Sequence, residues 1–222
     1  MARFTNAARA VDRPRGAARR RSELLVAIIA GLVFLAIPEA RAQEVGTAKN
    51  AIGVLLITRA NGTSVRLQGK GDLKLFEGDE LKTGPGAQAL IEFADGTRVA
   101  INEQTTFLIR SRQDPASGLT RILRLLIGEL WIKTSAGPRP LEVETPVASA
   151  AIRGTEFNMK VLPNGESLLT VVDGLVEFGT PFGSCPIRAG TQSVGERGKR
   201  CTRPAPTNVQ PAIAWTEQIL KP

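Results

Sequence analysis

Asn61-Gly62, Asp95-Gly96, Asn164-Gly165 and Asp173-Gly174 punctuate this sequence, each set between short runs of alternating apolar and polar residues. Asn-Gly and Asp-Gly suit tight hairpins because both residues tolerate positive φ. Residues 53–59 and 64–67 flank the first turn, and residues 89–93 and 98–101 the second, so each pair predicts a hairpin. Residues 72–75, 105–110, 121–127, 129–133, 141–145, 157–162, 168–172 and 175–178 read as further strands. Short strands separated by Gly turns predict an all-β fold, a sandwich, barrel or β-roll of short antiparallel strands and hairpins. Residues 61–67 match residues 95–101, a weak internal repeat, and two copies do not make a solenoid. One short helix is expected near the C-terminus, over residues 211–220. Ile213, Trp215, Ile219 and Leu220 would form one face, docked on the β-domain through Trp215 or, in the rival reading, recognising a partner.

The first 42 residues read as an address. They hold eight arginines and three acids, and residues 24–37 are an unbroken run of 14 apolar residues and glycine. Ala40-Arg41-Ala42 then supplies a small-x-small cleavage site ahead of Gln43. This is the pattern of a secretory signal peptide with a basic leading region. A retained membrane anchor is the rival reading. Fourteen helical residues reach about 21 Å, against a hydrocarbon core of about 30 Å. The expected organisation is a signal peptide over 1–42, a linker over 43–49, a β-domain over 50–180 and a C-terminal extension over 181–222.

The address also carries most of the net positive charge. The whole chain has 29 cations and 21 anions, but only 21 and 18 lie beyond residue 42. Nucleic-acid binding needs a basic face on the folded domain, and that argument loses most of its support here. The chain has no histidine. Triads built on a histidine base are therefore excluded within it. No catalytic, cofactor or metal site is expected. Cys185 and Cys201 enclose 15 residues, and in an exported chain they read as a disulfide.

The most distinctive stretch is Thr145-Pro146-Val147-Ala148-Ser149-Ala150-Ala151-Ile152-Arg153-Gly154-Thr155-Glu156-Phe157. A glycine within strand-like sequence marks a bulge or a close backbone approach. Arg153 is the one cation in a run of small, uncharged residues. Two readings stand. Arg153 pairs with a carboxylate on a neighbouring strand, or it faces a ligand. Arg153, Gly154, Thr155 and Glu156 are the candidate binding motif.

The order of features resembles the FecR domain family. The resemblance rests on Gly78-Asp79-Glu80-Leu81-Lys82-Thr83-Gly84, on Ala89-Leu90-Ile91-Glu92-Phe93-Ala94-Asp95-Gly96-Thr97, and on Gly128-Glu129-Leu130-Trp131. It continues through Thr145-Pro146-Val147-Ala148 and Ile152-Arg153-Gly154-Thr155-Glu156-Phe157, and closes with residues 171–178. It covers residues 50–180. It implies a periplasmic domain that contacts the signalling domain of an outer-membrane transporter; an inner-membrane sensor is the other candidate envelope partner. The 23 residues ahead of the apolar run are too few for the cytoplasmic anti-sigma domain of the family's regulators. What carries over is an exported β-domain that binds, meeting the membrane only in transit.

Three functions follow. The first is a non-catalytic binding or signalling module that docks another envelope protein by strand edges or by a face bearing Arg153 and Glu156. The second is a carbohydrate or cell-wall ligand binder, for which Trp131 and Trp215 are the available tryptophans. The third is a glycosidase using Glu142 and Glu144, or Glu77, Asp79 and Glu80, as paired carboxylates. Alternating acids on a solvated strand, and acids in a turn, explain those residues without catalysis.

Overall fold

The computed structural model describes residues 43–115, 118–135 and 140–221. The expected signal peptide lies outside them. The chain runs through β1 (Glu44–Thr58), β2 (Ser64–Phe76), β3 (Glu80–Thr83), β4 (Gln88–Phe93), β5 (Arg98–Ile101) and β6 (Thr106–Asp114). β7 (Gly118–Lys133), β8 (Leu141–Glu144), β9 (Ser149–Ile152), β10 (Glu156–Val161) and β11 (Ser167–Asp173) follow. Then come β12 (Leu175–Thr180), β13 (Gly183–Arg188), β14 (Thr191–Gly195), β15 (Ala205–Pro206), α1 (Gln210–Ile213) and α2 (Thr216–Leu220). The fold is all-β, as the turn pattern predicts.

Two long, bent strands organise it. β1 pairs with β4 through its N-terminal half and with β3 through its C-terminal half. The switch falls at Gly53, with φ +70°. β7 uses the same device: its N-terminal half pairs with β6 and β8, its C-terminal half with β5 and β10. That switch falls at Gly128, with φ +98°. The pairings β7–β5–β4–β1–β3–β6–β7 close a ring, which gives the sheet its barrel-like form. Two wings then leave β7. One runs β8–β9–β12–β13, the other β10–β11–β14–β15. The main apolar core fills the ring with Leu55, Ile91, Phe93 and Phe107, and continues between the wings with Val143, Phe157, Met159 and Phe178.

The internal repeat has a local cause. Gly62 N–H donates to Arg59 O (2.9 Å) and Arg59 N–H to Thr63 O (2.8 Å). Gly96, Phe93 and Thr97 repeat this pair of bonds, as do Gly165, Leu162 and Glu166. In each turn the Asn or Asp side chain accepts the N–H two residues on: Asn61 from Thr63, Asp95 from Thr97 and Asn164 from Glu166. Only the glycine has positive φ in these turns. The dipeptide therefore forms a type I turn closed by a left-handed Gly, not the expected tight hairpin with both residues at positive φ. Asp173-Gly174 differs again, because it passes the chain from β11 in one wing to β12 in the other.

Several boundaries move. Residues 43–49, expected as a linker, are mostly the start of β1, and residues 72–75 are the end of β2. Residues 181–206, expected as an extension, supply β13, β14 and β15, which pair into the two wings. The Cys185–Cys201 disulfide ties β13 to the chain beyond β14. The C-terminal helix is broken in two at Ala214-Trp215. It docks chiefly through Ile219, fully buried against Ala100 and Trp131, with Trp215 half-buried beside it.

Candidate functional site

Strand alternation sends every second side chain of the first wing outward. On β8, Leu141 and Val143 face the core while Glu142 and Glu144 face out. Register then sets Glu142 beside Ala151 of β9, and Ala151 beside Glu177 of β12. The next row places Glu144, Ser149 and Gly179 side by side. Ser149, Ala151 and Gly179 are too short to fill the space between the longer side chains flanking them. A trough follows, with a hollow of about 410 Å³ at Arg112, Arg153 and Leu175 and one of about 450 Å³ at Arg124, Thr145 and Pro181. Glu142 lines both.

The two acids of β8 share a cation. Arg112 reaches Glu142 at 2.5 Å and Glu144 at 3.8 Å. That pairing fits a solvated charged face and gives neither carboxylate the isolated setting a general acid needs. Leu175 (47% exposed) and Phe182 (60%) add apolar surface at the two ends of β12.

The candidate motif does not assemble into one site. β9 ends at Ile152, and Gly154 (φ +62°) turns the chain toward β10 in the other wing. The corner replaces the expected bulge within one strand. Arg153 is exposed there, lines the trough and makes no ion pair among the described residues, so the expected carboxylate partner is absent. Thr155 is buried, its N–H bonded to Thr134 Oγ1 (2.9 Å). Glu156 lies on the other wing's side of the corner, accepting from Trp131 Nε1 (3.1 Å) and Lys133 Nζ (2.8 Å). A face bearing both Arg153 and Glu156 therefore does not form. The corner is packed against a second one: a Cβ on Gly174 would lie 2.8 Å from Thr155 Cγ2 and 3.1 Å from Gly154 O.

Two charged constellations went unseen in the sequence. Arg59 bonds Asp79 and stacks 4.9 Å above Phe76, whose N–H also donates to Asp79 (2.8 Å). Arg121 bonds Asp95 (2.6 Å) and stacks 4.2 Å above Phe93. Burial pushes the Asp79 carboxyl above its ordinary range, against the Phe76 N–H and Arg59. Burial acts the same way on Asp95, but the Thr97 N–H and Arg121 outweigh it and hold the group below that range. A run of Arg59 to Asp79 gives no sequence signal, because the partners sit 20 residues apart.

Residues 79–177 match the family model of the FecR protein. The resemblance read from the sequence is therefore the one found, over a shorter span than expected. The FecR match begins at Asp79 and ends at Glu177, so it takes in Glu142, Glu144 and Glu177 of the trough but not Gly179. β1, β2 and the C-terminal helices lie outside it. Two crystal structures, both of a putative anti-sigma factor from Parabacteroides distasonis ATCC 8503 (1.65 and 2.50 Å resolution), share the fold with a TM-score of 0.53. Identity is 20% and 21%, over 62% of this chain and 64% of those chains. No curated protein matches the chain.

Proposed function

We propose that this chain is an exported, non-catalytic FecR-like module that docks a cell-envelope protein, with a signalling role. The trough on the β8–β9–β12 face is the contact surface. The observation that carries this reading is the combination of a small-residue floor, an exposed Arg153 without an ion-pair partner among the described residues, and an exposed apolar side chain, Leu175, lining the same hollow. Apolar anchors beside unsatisfied charge are what a protein interface uses at its centre and rim. The FecR match and the anti-sigma description of the similar structures support a regulatory rather than a catalytic role. The signal-peptide pattern supports a periplasmic location. The partner is an outer-membrane transporter's signalling domain or an inner-membrane sensor.

The test fills the trough. Ala151 is exposed at its floor, so Ala151→Arg adds bulk without touching the core. Affinity capture from envelope extract with the wild-type chain recovers a defined protein, and Ala151→Arg loses it while its thermal midpoint is unchanged. Equal recovery by the variant contradicts the assignment of the face.

A further inference from the structure

The opposite wing carries a second concavity, independent of the docking trough. Outward residues of β10, β11 and β14 form its floor, and the chain at 207–212 arches over it. The cavity measures about 390 Å³, within the range of small-molecule sites. Register sets Asn158 beside Thr170 and Thr170 beside Gln192, one polar row across three strands. Such a row in a sheet covered by a later segment needs a reason, because buried polar groups are costly unless paired.

Asn158 is 3% exposed, and its amide orientation is locked. Its Nδ2 donates to Glu129 Oε1 (2.7 Å) and to the Ala212 carbonyl. Flipping the amide would aim its oxygen at two acceptors, so Oδ1 is the acceptor that remains. That Oδ1 has no partner among the described residues. Thr170, also 3% exposed, makes no side-chain hydrogen bond among the described residues, and the same holds for Gln192 and Thr207. These are neutral hydroxyl and amide groups. The charges at the cavity cancel, with Lys160 Nζ 3.3 Å from Glu129 Oε2. Leu168, Pro211 and Ala212 give it an apolar side.

We propose that this cavity binds a small, neutral, polyhydroxylated ligand, a mono- or disaccharide. Hydroxyls both donate and accept, so they complement an uncommitted carbonyl, hydroxyl and amide together. The C–H face of a sugar ring suits the apolar side. A net-neutral site disfavours phosphorylated or acidic ligands, whose charge would be left unpaired.

Isothermal titration calorimetry of the full chain tests this with glucose, galactose, N-acetylglucosamine and the β-linked N-acetylglucosamine dimer. Saturable binding of at least one is expected. Thr170→Val removes the hydroxyl at nearly constant volume and should weaken that binding about tenfold with the thermal midpoint unchanged. Gln192→Ala, at a half-buried position, repeats the test should Thr170→Val unfold. Binding of the monosaccharides identifies a free sugar as the ligand. Binding of the dimer alone identifies a glycan chain. Absence of saturable heat with every sugar, or wild-type affinity in both variants, overturns the proposal. Ala151→Arg leaves sugar binding intact, which separates failure here from failure of the docking face.

Discussion

Gly128 is where β7 leaves one side of the ring for the other. A Cβ there would lie 2.3 Å from Thr105 Oγ1 and 2.4 Å from Thr105 Cα, at a φ of +98°. Both the contact and the backbone conformation exclude a side chain. Gly128→Ala is expected to cost about 3 kcal/mol or more in denaturant unfolding, the sum of overpacking and left-handed strain. Buried Asp79 and half-buried Asp95 give opposite pH signatures. Asp95 is held low, so its contribution is present above the unfolded value of about 3.9 and is lost as pH falls through the lower folded value. Asp79 is raised, so its contribution is present below about 3.9 and is lost as pH rises through the folded value. Unfolding curves across acid pH should show Asp95→Asn with a flatter acid limb than wild type. Asp79→Asn should gain relative to wild type as pH rises above about 4. A parallel pH dependence in all three chains would contradict both assignments. At this scale the sequence is legible where a residue's role is local. The glycines of the Asn-Gly and Asp-Gly turns sit at positive φ as read. Arg153 misleads, because Gly154 is read as a bulge when it is a corner, and nothing in the sequence distinguishes the two until β9 and β10 are known to pair with different strands.

At the scale of elements, the C-terminal helices are a clasp rather than an appendage. α1 and α2 are too short to be stable alone, so their order comes from packing. Ile219 supplies that packing on Ala100 and Trp131, with Ile52, Leu90 and Trp215 around it. Ile219→Ala is expected to cost about 2–5 kcal/mol. Tryptophan emission should shift to the red as Trp131 gains water. An unchanged spectrum and midpoint would show that the clasp does not hold. The apolar residues of this clasp were legible, and its break at Ala214-Trp215 was not. The long strands were misread for a related reason. β1 and β7 bend at Gly53 and Gly128, where burial alternation loses its phase, so each looks like two short strands or a strand and a linker. β13 and β14 lie within the stretch expected as an extension. β13 has Cys185 and Ile187 inward but Ser184, Pro186 and Arg188 outward, a weak pattern by composition alone.

Across the whole molecule, β7 closes the ring and bears both wings, which display two faces. One face is a charged trough floored by small residues, and the other is a cavity with a polar row on its floor and residues 207–212 above it. Neither face could be read from spacing, because each draws on strands whose order in the sheet differs from their order in the chain. The candidate motif was found and then divided: its arginine belongs to the trough wing, its glutamate to the other. The docking account is tested most directly by a photo-crosslinking residue in place of Ala151, activated in intact cells and compared with one in place of Arg66 on β2. One discrete protein adduct is expected from position 151, lost when Arg153→Glu is added, and none from position 66. Adducts from position 66 alone, or a 151 adduct indifferent to Arg153→Glu, would contradict it.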